Sequence, residues 1–165
     1  MQAAFYFNPS RCTACYACVV ACCDLHDIKD GEKPFRRIIT REEGRYPDVR
    51  VSHTSISCNH CDEPACAANC PVQAITKRAA DGIVVVDASL CLGRETCGRC
   101  ADVCPYGAPQ FSGAFPHPMQ KCDFCVDRFS RGEKPVCVEA CPMRALDVTD
   151  AAGEDSRKRG CHIDV

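Results

Sequence analysis

The chain has 165 residues and a formal net charge of −2, with 20 Lys and Arg against 22 Asp and Glu, so nothing in its balance points to a nucleic-acid or membrane-surface binder. Cysteine supplies 18 residues, about 11 % of the chain and above the level that marks a cysteine-built scaffold. Without cysteine the 46 % hydrophobic fraction is thin, there is no Trp, no run reaches the roughly 18 apolar residues of a membrane span, and part of the core must be something the cysteines hold.

In chain order, the short β run Phe5-Tyr-Phe leads through Asn8 to the first cysteine group, Cys12-x2-Cys15-x2-Cys18-x3-Cys22, with a short helix predicted over 17–21. Residues 36–41 and 49–56 are strand-like around the connection Glu42-Glu-Gly44-Arg-Tyr-Pro47. The second group is Cys58-x2-Cys61-x4-Cys66-x3-Cys70-Pro71, with a short helix predicted over 67–69. Asp81-Gly82 ahead of the β-branched run Val84-Val-Val-Asp87 predicts a hairpin. The third group is Cys91-x5-Cys97-x2-Cys100-x3-Cys104-Pro105, and the fourth is Cys122-x2-Cys125-x11-Cys137-x3-Cys141-Pro142. Residues 150–165 are charged and Gly-containing, and are expected to form a solvated tail or a segment that docks on a partner.

These groups sit in an internal repeat. Phe5-Tyr-Phe-Asn8-Pro-Ser-Arg-Cys12 matches Val84-Val-Val-Asp87-Ala-Ser-Leu-Cys91, and Cys70-Pro-Val-Gln-Ala74-Ile75 matches Cys141-Pro-Met-Arg-Ala145-Leu146. Cys104-Pro-Tyr-Gly-Ala-Pro109 is a variant that ends in a Pro-rich turn.

A small cysteine-rich chain is a disulfide scaffold, a zinc module or an iron–sulfur carrier. Disulfides need an oxidising compartment. The N-terminus has no basic start or apolar run of signal length, and Arg36-Arg37 lies too far in for a twin-arginine signal. A cytoplasmic location is therefore expected, with export on a partner left open. The run C-x2-C-x2-C-x3-C is the ferredoxin ligand pattern, in which three close cysteines hold one 4Fe-4S cube and the fourth reaches to another. A tetrahedral zinc site draws two knuckles from separate places and has no use for a third cysteine so close.

Because the fourth cysteine of one group serves the partner cluster, groups must pair. The simplest arrangement pairs two with three and nests them between one and four. The expected fold is α+β: two dicluster ferredoxin-like units, an outer one of 1–50 plus 113–150 and an inserted one of 51–112, followed by the tail 151–165. There is no G-x-G-x-x-G after a strand, no P-loop and no G-x-S-x-G elbow, so electron relay is expected rather than catalysis. With sixteen thiolates and four oxidised cores the loaded chain carries a charge of roughly −10, which suits a basic face on a partner. Arg11, Arg94, Arg99 and Lys121 adjoin cysteines and either raise nearby potentials or are solvated charges. His60 is expected to face solvent or to stand behind the ligands. His26, His53, His117 and His162 have no ligand spacing, and Cys161 is expected to be a free thiol. Phe5, Tyr6, Phe7 and Val84 to Val86 are expected to form thin apolar layers over the clusters.

Cys12-Thr-Ala-Cys15-Tyr-Ala-Cys18, Cys58-Asn-His-Cys61, Cys104-Pro-Tyr-Gly-Ala-Pro109 and Lys121-Cys-Asp-Phe-Cys125 resemble the four-cluster small subunits of molybdenum and tungsten pterin oxidoreductases, from about residue 5 to 148. The dimethyl sulfoxide reductase type has such a subunit, and compact polyferredoxins accompany tungsten aldehyde oxidoreductases. The resemblance implies four 4Fe-4S clusters: one on Cys12, Cys15, Cys18 and Cys141; one on Cys22, Cys122, Cys125 and Cys137; one on Cys58, Cys61, Cys66 and Cys104; and one on Cys70, Cys91, Cys97 and Cys100. Cys22 is followed by Cys23 where the pattern has Pro, so either can be the ligand, and Cys22 keeps the spacing. The position expected to hold a cysteine in group three is Arg94, and the cysteine is displaced to Cys91; if Cys91 is no ligand, that site is a 3Fe-4S cluster. The implied function is a non-catalytic electron-transfer subunit serving a molybdenum or tungsten pterin subunit, the tungsten aldehyde oxidoreductase type being preferred, with a flavin, NAD or other redox subunit as a further partner. The alternatives are a free-standing polyferredoxin shuttle and a structural zinc protein. Clusters near opposite poles would also allow copies to join head to tail.

Overall fold

The computed structural model describes residues 2–112 and 117–150; the expected tail with Cys161 and His162 lies outside the described residues. In order the elements are β1 (Ala3–Phe7), a 3-10 turn (Pro9–Arg11), α1 (Ala17–Leu25), β2 (Arg37–Arg45), β3 (Asp48–Ile56), α2 (Ala65–Ala68), β4 (Ile75–Lys77), β5 (Val84–Val86), α3 (Gly93–Thr96), α4 (Arg99–Asp102), β6 (Gln110–Phe111), β7 (Met119–Gln120), α5 (Val126–Ser130), α6 (Val136–Glu139) and β8 (Leu146–Asp150). The described strands pair antiparallel in twos: β1 with β8, β2 with β3, β4 with β5 and β6 with β7. This is a small α+β fold.

The repeat in the sequence is a repeat in space. In the register of β1 and β8 Phe7 faces Leu146, and in that of β4 and β5 Ile75 faces Val86. Just past each pair, the Asn8 N–H donates to Ala145 O at 2.8 Å and the Asp87 N–H donates to Ala74 O at 2.7 Å. Asn8 then accepts from the Ser10 N–H at 3.1 Å, and Asp87 accepts from the Ser89 N–H at 2.9 Å. These short Asx turns carry the chain from a strand to the first cysteine of a group. The two ends of the described residues thus pair around everything between them, and Ala3 N–H donates to Asp81 O at 2.8 Å, tying β1 to the inner hairpin.

Most helices have four or five residues and α1 has nine, too short to persist alone, where about 12–15 residues are needed. They form because thiol packing fixes them. The helix predicted over 17–21 runs on through Cys22 to Leu25, and that predicted over 67–69 spans Ala65–Ala68. The hairpin of β2 and β3 is longer than the strand-like segments foretold. Glu43 faces Arg50 and Arg45 faces Asp48, opposite charges that support extension up to Tyr46 and Pro47. Its outer half is bare, with Tyr46 93 % exposed. The boundaries 50/51 and 112/113 of the expected units fall inside β3 and in the connection between β6 and β7.

The apolar core is divided into small clusters, and cysteine belongs to most of them. Phe7, Val138, Ala145 and Leu146 pack with Cys18 and Cys137; Phe35 and Ala108 with Cys22, Cys58 and Cys122; Ile75, Val84 and Met119 with Cys100. A fourth cluster joins Ala3, Ile83 and Phe124. Of the expected apolar layers, Phe7 and Val84 are buried, and Phe5, Tyr6, Val85 and Val86 are half-buried.

Candidate metal centres

The turns around the cysteines use backbone conformations that residue type does not announce. Ala14, His60 and Phe124, each just before the second cysteine of its group, have φ of 52°, 46° and 65°. Gln73, Gly107 and Arg144, each three residues after a fourth cysteine, have φ of 51°, 56° and 49°. Left-handed backbone costs a non-glycine residue about 1–2 kcal/mol, and here it swings successive N–H groups toward sulfur. The Ala74 N–H donates to Cys70 Sγ at 3.2 Å, Ala108 N–H to Cys104 Sγ at 3.5 Å and Ala145 N–H to Cys141 Sγ at 3.2 Å. The Cys-Pro-x-x-Ala repeat is therefore a device that aims one amide at one thiol. Group one lacks it: its fourth cysteine, Cys22, lies within α1.

These turns bring the cysteines together in sets. Cys12, Cys15, Cys18 and Cys141 line one small cavity with Phe7, Ile38 and Leu146. Cys70, Cys91, Cys97 and Cys100 line another with Ile75, Phe111 and Met119. Displaced Cys91 reaches that cavity through a loop turned by Gly93, φ 78°, and its Sγ accepts from the Met119 N–H at 3.3 Å. Burial, then the neighbouring Cys122 and Cys137, push the Cys22 thiol far up; burial, Cys122, Asp123 and Cys137 push Cys125 up to about 12. Burial, Cys104 and Cys61 raise Cys66 against the pull of Lys121, and burial with Cys104 raises Cys61. Cys22, Cys122, Cys125 and Cys137 thus lie together, as do Cys58, Cys61, Cys66 and Cys104.

The sets also act on one another in a fixed order. Cys137 bears on Cys18, Cys58 on Cys122 and Cys66 on Cys100, where burial and repulsion lift the thiol to about 11. The sequence of sets in space is therefore Cys12, Cys15, Cys18, Cys141; then Cys22, Cys122, Cys125, Cys137; then Cys58, Cys61, Cys66, Cys104; then Cys70, Cys91, Cys97, Cys100. The second set is buried throughout, whereas each of the others has half-buried members, and Cys15 of the first is exposed. Cys23 stands apart, half-buried, its thiol raised by burial.

Among the charged neighbours, Arg11, Arg94 and Arg99 are exposed. Lys121 is buried, with Nζ donating to Val84 O and to Cys122 O, the latter at 3.0 Å. His60 does not face solvent: it is 1 % exposed, because Val84 and Phe124 close over it. Its Nδ1 accepts from the Val84 N–H at 3.1 Å, so Nε2 carries the proton, and that atom has no partner among the described residues. Burial, then Lys121, pushes its pKa down to about 3 and keeps the ring neutral. Sequence reasoning missed Arg36, which is 2 % exposed and faces Cys137, Cys122, Cys18 and Cys22. Adjacent arginines gave no sign of which one turns inward. It also missed that His26 stands with Asp123 beside Cys125.

Soft thiols in sets of four, amides aimed at sulfur, a buried N–H left without an acceptor and buried cations make a donor set fit for iron–sulfur clusters. Comparison with known proteins agrees. The family described as 4Fe-4S dicluster domain matches residues 49–151. The sequence is 46 % identical over 154 residues to the B subunit of anaerobic dimethyl sulfoxide reductase from Escherichia coli (strain K12), covering 88 % of this protein and 72 % of that one. It is 43 % identical over 155 residues to the protein of the same name from Haemophilus influenzae, covering 88 % and 73 %. It is also 38 % identical over 168 residues to the formate dehydrogenase iron-sulfur subunit of Wolinella succinogenes, covering 89 % and 80 %.

Proposed function

Because the protein belongs to the 4Fe-4S dicluster family of iron–sulfur subunits, of the kind found in dimethyl sulfoxide reductase, we propose that it relays single electrons through four clusters to or from a catalytic pterin subunit of the molybdenum or tungsten class. The observation that carries this reading is the adjacency of the four thiol sets, each packed against the next. In it Cys12, Cys15, Cys18 and Cys141 hold one 4Fe-4S cluster, and Cys22, Cys122, Cys125 and Cys137 the next. Cys58, Cys61, Cys66 and Cys104 hold the third, and Cys70, Cys91, Cys97 and Cys100 the fourth. Bound there, each cluster takes up and returns one electron.

The protein's part is to hold, space and bias the sites. Strained turns fix the thiols, and the amides of Ala74, Ala108 and Ala145 stabilise charge on sulfur. Phe7, Phe35, Ile75, Val84 and Met119 exclude water from between the sets. Lys121, between Cys122 and Cys58, favours an added electron at the central step. The relatives named above support a partner of the dimethyl sulfoxide reductase or formate dehydrogenase kind, and give the tungsten aldehyde oxidoreductase subtype no support. Purified without oxygen, the chain should be brown, bleach with dithionite and carry about 16 iron per chain. Zinc without sulfide would sink the reading. A stable monomer that donates equally to unrelated acceptors would favour a free shuttle over a subunit.

A further inference from the structure

Arg36 lies just before β2, between the first and second thiol sets. Its Nη1 donates to Ser55 Oγ at 3.0 Å and its Nη2 to Ser57 Oγ at 2.9 Å, both serines standing at the end of β3. The guanidinium covers the Phe5 ring, 4.5 Å from its centre. Of the thiols, Cys137 is the one whose charge acts most strongly on Arg36. Ser55 Oγ is 3.6 Å from Cys18 Sγ. Since Ser55 already accepts from Arg36, its own hydrogen is free for that sulfur, and a thiolate can only accept. Among the described residues no carboxylate pairs with Arg36, whereas Arg78, Arg94, Arg128 and Arg131 each have one. A buried unpaired cation is heavily penalised, so the fold keeps one here for its effect on what the thiols hold.

We infer that Arg36 and Ser55 form a bridge between the first and second clusters, through which one fixed cation raises the reduction potential of both. The inference rests on the proposed ligand sets. Each cluster gains a negative charge on reduction, and a guanidinium in a low-dielectric interior stabilises that charge. The two sides differ: Arg36 acts on Cys137 by its charge and reaches Cys18 through the Ser55 hydroxyl. Arginine suits the position because its planar fork supplies separate donors to Ser55 and Ser57, which an ammonium cannot direct in the same way. Arg36 is a positioning residue: it touches sulfur ligands and acts on the electron through them.

The test is a redox titration of the iron-loaded chain followed by electron paramagnetic resonance, with iron counted in every sample. Arg36→Gln should lower two of the midpoint potentials, each by about tenfold or more in the reduction equilibrium, which is 59 mV per tenfold for one electron. Ser55→Ala should lower one of the same two by a smaller factor and leave the other in place. Arg36→Lys should restore part of the shift, because charge returns without the fork. Full iron content with all potentials unmoved in Arg36→Gln would overturn the bridge. If Arg36→Gln cannot hold iron, Ser55→Ala decides: one potential lowered supports the bridge, none lowered overturns it. A wild-type chain without iron would instead overturn the proposed function, so the two failures are told apart.

Discussion

Glycine is required at few of the positions where this backbone turns left-handed, and Gly98 is one of them. It follows Cys97, has φ 86°, and a Cβ there would lie 2.6 Å from Arg94 Nη1. Arg94 is exposed and can move, so the lasting cost of Gly98→Ala is backbone strain of about 1–2 kcal/mol. Arg144 is the opposite case: φ 49°, exposed, in the turn after Cys141. Arg144→Gly should relieve strain and raise stability by up to about 1 kcal/mol, less whatever glycine loses in the unfolded chain. Urea midpoints at matched iron content check both signs. These residues also mark the limit of what could be read beforehand. The spacing of the cysteines was plain, and so was the likeness of Asn8 to Asp87, since both are local. The left-handed Ala14, His60, Gln73 and Phe124 were not, because their residue types do not favour it and the packing of thiols imposes it. The inward turn of Arg36 was equally hidden, since its partners Ser55, Ser57 and Cys137 come from distant segments.

At the scale of elements, a paired strand is stable here only where it meets a cysteine set. β2 and β3 show both conditions in one hairpin. Near its base Ile56 is 3 % exposed, whereas Val51 toward the tip is 54 % exposed. Two strands alone are marginal in water, so the base anchors the arm. Ile56→Ala should cost about 2–5 kcal/mol, the usual range for emptying a buried aliphatic site. Val51→Thr should stay within about 0.5 kcal/mol, as surface changes do. Thermal or urea unfolding of the iron-loaded variants, read by loss of cluster colour, distinguishes them. The strand pairs β1–β8 and β4–β5 were readable as repeated strings. Their partnership was less so, because β1 finds its partner at the far end of the described chain while β5 finds its own in the preceding strand.

For the whole molecule, the governing fact is that the cysteine sets are unequally placed. Cys122 is buried, faces Cys58 of the adjoining set as well as Arg36, and packs with Cys22, Phe35 and Ala108. Cys97 is half-buried in the last set, lining a cavity with Cys70, Cys91 and Cys100. Adjoining sets share apolar clusters, Cys22 and Cys122 packing with Cys58 and Cys104, so disturbance should pass furthest from a set that has neighbours on both sides. Folding and cluster assembly are coupled in such a protein, since each set is part of the core. Cys97→Ser should therefore lose at most the terminal cluster, leaving about 12 of about 16 iron and a folded, brown protein. Cys122→Ser removes a ligand at the point where two sets and a buried cation meet. It should lose more than one cluster, or fail to accumulate, leaving markedly fewer than about 12 iron per recovered chain. Iron and sulfide analysis of the two variants, purified side by side without oxygen, gives the comparison. Equal losses would mean that the sets assemble independently and that their order in space has no part in building the fold.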